Sequence, residues 1–140
     1  MAASRCMVRF RAVNAAERFL AASRARDVDA AAAELSPEVV MLNPANDDPV
    51  VGQAAVADAL RAVEAACDRF QHTHLLADTS SDRATLYGLV FEMTVGDARL
   101  RGVDLIEVDE QDRIARFEVA VRPITALMAL GNRMRESQSP

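Results

Sequence analysis

Residues 84–121 read ATLYGLVFEMTVGDARLRGVDLIEVDEQDRIARFEVAV. Three β-prone runs fill this stretch, Ala84 to Val95, Ala98 to Asp109 and Arg113 to Val121, separated only by Gly96-Asp97 and Glu110-Gln111-Asp112. Connections that short join antiparallel neighbours, because a parallel crossover needs a dozen or more residues. Just upstream, Phe70 to Ala77 is a fourth run, ending at the turn-forming Asp78-Thr79-Ser80-Ser81-Asp82. A four-strand meander is therefore expected over 70–121. Strand parity puts Tyr87, Leu89, Phe91 and Met93 on one face of their strand and Phe117, Val119 and Val121 on one face of theirs. These faces are expected to look toward helices. Glu92, Arg116, Glu118 and Arg122 point the other way, which leaves a charged yet partly apolar outer face suited to a second copy of the chain. A homodimer through that face is expected.

Ahead of the meander the period changes. From Arg5 to Arg24, the positions Phe10, Val13, Ala16, Phe19, Leu20 and Ser23 fall at helical spacing. Asp27 then stands where an N-cap belongs, before the Ala-rich run Val28 to Leu35. Ser36-Pro37 ends that second helix. Glu38 to Leu42 is a short β-prone run stopped by Asn43-Pro44, Ala45 to Pro49 is a polar loop, and Val56, Leu60, Val63 and Cys67 mark a third helix over Gln53 to Cys67. After the sheet, Pro123 opens a final short helix with Ile124, Leu127, Met128, Leu130 and Met134 as its apolar stripe, and 136–140 is a frayed tail. Three helices first and a curled, mainly antiparallel sheet second make an α+β domain.

Composition agrees with one such domain. The chain has 140 residues, 51% hydrophobic and 26% charged, enough to bury one core and too few for two. A single domain over 1–140 is expected. All sixteen basic residues are Arg against 21 acids, and the net charge of -5 disfavours nucleic acid as a partner. Lysine-free, alanine-rich usage suggests a GC-rich bacterial genome. No run approaches the ~20 apolar residues of a membrane span, and the Arg-rich opening segment reads as helix rather than leader. Cys6 and Cys67 match no metal spacing and no disulfide framework, so they are expected to be reduced thiols of a cytoplasmic protein. There is neither a glycine-rich phosphate loop nor a Gly-x-Ser-x-Gly elbow. No cofactor is expected.

The element order, together with Gly102-Val103-Asp104-Leu105-Ile106-Glu107-Val108-Asp109 leading through Arg113-Ile114 into Val121-Arg122-Pro123, resembles the nuclear transport factor 2-like superfamily, and within it the SnoaL-like bacterial proteins. The likeness runs from about Arg9 to Met134. It implies a sheet curled around helices into a cone with an apolar cavity. It does not imply one activity, since the superfamily includes isomerases, cyclases, hydrolases, dehydratases and non-catalytic binding modules. Against the ketosteroid isomerases, Asp104 matches the protonated Asp that stabilises the enolate oxygen. Asn43 falls where the general-base Asp belongs, and Phe19 where the oxyanion-hole Tyr belongs. An amide cannot take up the substrate proton and phenylalanine has no hydroxyl to donate, which argues against a ketosteroid isomerase. Against limonene epoxide hydrolase, Asn43 matches the water-holding amide, but Met41 replaces the Tyr and the Arg-x-Asp pair has no counterpart in 86–93.

Asp104 is the leading candidate for chemistry, because it interrupts Leu100, Gly102, Ile106 and Val108 on a face that is otherwise apolar. Burial there raises a carboxyl pKa and makes an acid or a polar anchor for a ligand. The plain alternative is a buried Asp satisfied by a neighbour. His72 and His74 share parity with Phe70 and Leu76, and His74 is the one expected to pair with Asp104 in acid–base work. A metal is not expected, as two His at i and i+2 lack a third ligand. Asn43 is either a ligand-orienting amide or an ordinary loop cap. Phe19, Tyr87, Leu89, Phe91, Phe117, Val119 and Val121 are the expected lining for a small hydrophobic molecule, Tyr87 with a hydroxyl to offer. Both ligand-based readings call for a cavity above the ~300 Å³ scale of ordinary ligand sites. The other expectation is a module that binds ligand or protein without catalysis.

Overall fold

The computed structural model describes residues 12–139. The residues expected to begin the first helix, with Phe10 and Cys6 among them, lie outside that range. Four helices and six strands follow in the order α1 (Ala15–Arg24), α2 (Val28–Ala32), β1 (Leu35–Leu42), β2 (Val50–Val51), α3 (Gln53–Ala66), β3 (Arg69–Ala77), β4 (Leu86–Val95), β5 (Ala98–Val108), β6 (Ile114–Arg122) and α4 (Ile124–Gln138). The helices do not all precede the sheet, since β1 and β2 come before α3. α4 is also the longest of the four at 15 residues, not a short closing turn.

Local chemistry sets these boundaries. Asn14 and Glu17 form a reciprocal capping box that starts α1. Asp27 caps α2 as expected, its carboxylate accepting from the Ala30 N–H at 2.9 Å. Residues 33 and 34 leave the helix, and the chain enters β1 already at Leu35, ahead of Pro37.

The six strands form one curled, unclosed sheet in the order β2-β1-β6-β5-β4-β3. Strands β3 to β6 make the expected antiparallel meander. The chain's early strand β1 joins it by pairing parallel to β6, with Met41 opposite Phe117, and the unforeseen β2 pairs antiparallel to β1. Register breaks occur in β1 between Leu35 and Val40, in β3 between His72 and His74, and between β5 and β6 near Val108. Bulges of this kind bend and overtwist strands, so they help the sheet curl.

Two apolar clusters fill the concave side. The larger joins α1, α2 and α3 to β1, β4, β5 and β6 around Phe19, Leu35, Val39, Val56, Leu89, Ile106 and Phe117. The smaller joins α4 and the end of α3 to the far end of the meander around Ala66, Phe91, Met93, Leu100 and Leu130. The buried face of α4 is Ala126 and Leu130 with Leu127 and Met134 beside them, whereas Ile124 and Met128 are 72% and 62% exposed. The helical period holds there, but two of its five apolar positions face away from the sheet. No described helix is long and apolar enough to cross a membrane.

Candidate functional site

The seam between the two clusters is not completely filled. A pocket of about 150 Å³ lies there, reached by Phe19, Met41, Phe91, Met93, Phe117, Val119, Val121 and Leu130, with Arg26, Asp27, Asn43, Pro44 and Glu64 also along its lining. All four described phenylalanines line it. Phe19 meets Phe117 edge to face at 5.5 Å, while Phe70 stacks on Phe91 at 5.2 Å.

Only two buried residues of the described chain are polar, and both are in this pocket: Asp104, 5% exposed, and His72, 4% exposed. Asp104 occupies β5 between Leu89 of β4 and Val119 of β6, so its row of the sheet is otherwise apolar. In the next row Phe91 pairs with Gly102. A Cβ at Gly102 would lie 2.4 Å from the tip of the Phe91 ring and 2.5 Å from the Ala120 carbonyl oxygen, so the ring lies over a position that only glycine leaves open. His72 reaches past β4 to Asp104, its Nε2 3.1 Å from Oδ2, with its ring edge-on to both Phe70 and Phe91.

The second ring nitrogen is engaged as well. Nδ1 of His72 is 3.0 Å from the Ser23 hydroxyl on α1. Burial pushes the Asp104 carboxyl above the ordinary carboxylate range, and the hydrogen bond it shares with the His72 imidazole opposes but does not cancel that push. Oδ1 of Asp104 has no hydrogen-bond partner in the protein, and no buried side-chain polar atom of the described residues is orphaned, so this oxygen keeps some exposure in a residue that lines the pocket. The arrangement offers one carboxyl oxygen to whatever enters, with an imidazole hydrogen-bonded to the other oxygen behind it.

His74, expected to be the partner of Asp104, is not. Thr73 is an extra residue: His72 pairs with Phe91 and His74 with Val90, so parity inverts between them. His74 is exposed and its Nδ1 meets only the Thr73 hydroxyl at 3.0 Å. Tyr87 and Leu89 also lie away from the pocket. The Tyr87 hydroxyl accepts from the Asn14 amide at 2.9 Å and donates to the Ala84 carbonyl, fastening the start of α1 to β4, and Leu89 is wholly inside the larger core. Asn43 does reach the pocket lining, but its amide is engaged by its own loop: Oδ1 accepts from the Ala45 and Asn46 N–H groups, and Nδ2 donates to Asn46. Phe19, Phe91, Phe117, Val119 and Val121 line the pocket as expected. Cys67 is a free, half-buried thiol whose pKa burial pushes up, the reverse of what a nucleophile needs.

At about 150 Å³ the pocket falls short of the ~300 Å³ scale that both ligand-based readings call for, so a ligand of ordinary size does not fit it as it stands. A cavity of about this size with aliphatic and aromatic walls admits a single benzene-sized ring.

Comparison with known proteins agrees with this architecture. A family model described as a SnoaL-like domain matches residues 16–117. A solved structure of a steroid delta-isomerase from Pseudomonas aeruginosa is 32% identical, covers 90% of this chain and 92% of that one, and superposes with a TM-score of 0.78. A bacterial protein of cystatin-like fold from Silicibacter pomeroyi is 25% identical over 88% of this chain and 84% of that one, also with a TM-score of 0.78. A putative ketosteroid isomerase from Kribbella flavida, at 24% identity, 78% and 76% coverage and a TM-score of 0.64, shares the fold. No curated protein matches. With the family model covering well over half of its length, and the same curled sheet over helices, the chain belongs to the SnoaL-like domain family.

Proposed function

We propose that the protein is a cofactor-free acid–base enzyme for a small hydrophobic molecule of about one ring carrying a carbonyl or hydroxyl group. The observation that carries this reading is the buried His72–Asp104 pair, whose free carboxyl oxygen keeps some exposure in an otherwise apolar pocket. Burial raises the pKa of this carboxyl, and when its proton sits on the oxygen facing the pocket it donates a hydrogen bond to a carbonyl oxygen and stabilises the negative charge that grows there as a neighbouring carbon loses its proton. Isomerisation, cyclisation, dehydration and hydrolysis all draw on that capacity. Asp104 is the acid or polar anchor, His72 its proton partner, and Phe19, Phe91, Phe117, Val119 and Val121 hold the ring.

The steroid delta-isomerase likeness supports proton transfer at a carbonyl compound as the class of chemistry. It does not carry the substrate across. Phe19 offers no hydroxyl, the Asn43 amide is no base, and the pocket volume suits one ring rather than four. Those same two replacements favour the second reading, a binding module that retains the cone and has lost the chemistry. Homodimerisation through the outer sheet face and a cytoplasmic, bacterial setting complete the proposal.

A thermal-shift screen separates the readings. Single-ring ketones, enones, lactones and phenols are compared with terpenoid epoxides, aromatic polyketides and steroids at pH 7. A ligand present at 100 times its Kd adds about 2.7 kcal/mol, a rise of several degrees in Tm. Hits confined to the single-ring set support the pocket reading, and a flat response across the panel removes it. For any hit that is turned over, Asp104→Asn is expected to lower kcat by a factor of about 10²–10⁴. Unchanged turnover takes Asp104 out of the mechanism; hits that are bound but never turned over leave the module.

A further inference from the structure

Ser23 and His72 line two spaces at once. One is the apolar pocket, and the other is an open, mainly polar groove bounded by Ser23, Arg24, Phe70, Gln71, His72 and Thr73. An unbroken chain of side-chain contacts crosses the wall between them: Ser23 Oγ is 3.0 Å from His72 Nδ1, and His72 Nε2 is 3.1 Å from Asp104 Oδ2. His72 and Asp104 are buried, whereas Ser23 is only half-buried and stands at the groove end of the chain. The Arg24 guanidinium donates to the His72 carbonyl at 3.3 Å, holding the backbone of β3 against α1 where the chain passes. A hydroxyl donates and accepts through one atom, so Ser23 satisfies Nδ1 in either neutral tautomer of the ring. A ligand seated in the pocket covers Asp104 on that side and leaves the groove as the way to solvent.

We propose that Ser23, His72 and Asp104 form a proton relay joining the apolar pocket to the polar groove, with Ser23 as its outer, positioning member. The inference rests on the reading of Asp104 as an acid. In the charged-up state Asp104 carries a proton on Oδ2, His72 carries one on Nδ1, and the serine has its own. Discharge breaks Oδ2–H as Nε2–H forms, breaks Nδ1–H as a new Oγ–H forms, and passes the original serine proton to a groove water. The chain is left with a carboxylate, an Nε2–H imidazole and an intact hydroxyl, one proton fewer; the carboxylate's Oδ1 can then take a proton from a molecule in the pocket, or the reverse sequence recharges the chain from hydronium. No electron pair leaves the set and no other co-reactant is needed.

The test uses the unliganded protein with nitrogen-15-labelled histidine, observed by NMR at pH 7. The long-range ring correlations report the His72 tautomer, and saturation transfer from water reports how quickly its ring proton exchanges. The wild type is expected to exchange its His72 ring proton on the NMR timescale despite burial. In Ser23→Ala the ring loses its Nδ1 partner, settles as the Nε2–H tautomer facing Asp104, and exchanges about tenfold more slowly or slower still, the rate equivalent of one hydrogen bond. Ser23→Thr restores both. Exchange in Ser23→Ala within twofold of wild type overturns the relay, as does a wild-type ring proton protected for minutes, a measurement that needs no variant to fold. None of these readouts requires a substrate, so failure of the relay and failure of the enzyme reading are seen separately.

Discussion

Asp104 is the residue at which sequence and structure say most about each other. An acid flanked across the sheet by Leu89 and Val119 gains nothing from packing, so its one hydrogen-bonded neighbour and its one free oxygen define it. Burial raises its pKa in the fold, so the native state keeps this proton to higher pH than the unfolded chain does. Its contribution to stability is therefore fully present below the unfolded carboxyl value of about 3.9 and is lost as pH rises through the folded value. Asp68, held low chiefly by the Gly96 N–H, runs the other way. So does Asp112, where bonds from the Ala15 N–H and Arg18 outweigh the upward push of burial. Both lose their contribution as pH falls. Asp104→Asn keeps the shape and cannot ionise, so subtracting wild-type from variant melts cancels those groups. The difference in Tm, variant minus wild type, is expected to grow in the variant's favour from about pH 4 upward. Melts from pH 4 to 8 check this, and a difference that is flat or falls with pH contradicts it.

At the scale of elements, the meander was legible because its signals are local. Period-two alternation and two- or three-residue turns leave few topologies open. What escaped depends on contacts distant in sequence. The parallel pairing of β1 with β6 joins Met41 to Phe117, and nothing near Met41 announces it. The one extra residue, Thr73, is a register decision made by β4, and parity carried through it picked His74 where the fold uses His72. Tyr87 was assigned the correct face but the wrong end of it, since position along a curled strand decides between pocket and core. Gly102 shows the same dependence in reverse. Its missing side chain reads as a weak spot in a strand until Phe91 is seen lying across it. Gly102→Ala sets a methyl against a neighbouring strand's backbone as well as against the ring, so neither can yield without cost. The variant is expected to lose about 1–3 kcal/mol, with Phe91 displaced into the pocket. Thermal melts would show a Tm lower by several degrees, and any ligand found for the wild type should bind more weakly. A variant with wild-type stability and binding would mean that the ring has another place to go.

For the molecule as a whole, the two faces of the sheet have different fates. Helices cover the concave face, while the convex face carries a mainly apolar strip of Leu76, Val90, Val103, Leu105 and Ala120 across strands β3 to β6, with the exposed His74 beside Val90. Leu76 and Leu105 are among the exposed large hydrophobics of the chain. Arg99, Arg101 and Arg122 lie to one side of the strip and Glu107 and Glu118 to the other, with Glu92 and Arg116 as the minority charge at each end. A two-fold axis lying across the strands at the level of Val103 would set the arginine side of one copy over the glutamate side of its partner, and the apolar strip on itself. A stable interface of standard size needs about 800 Å² from each partner, and a strip four strands wide with an apolar centre and a complementary rim has the character of one. Light scattering on the purified protein at tens of micromolar is expected to give about twice the 15.2 kDa chain mass. Val103→Asp places a charge at the centre of the strip, pointing outward and away from the core, so it is expected to yield a folded monomer that retains the pocket. Elution of the wild type as a monomer, or of Val103→Asp as an unchanged dimer, would move the partner to another face. The pocket opens on the concave side, so ligand binding is expected to survive the split.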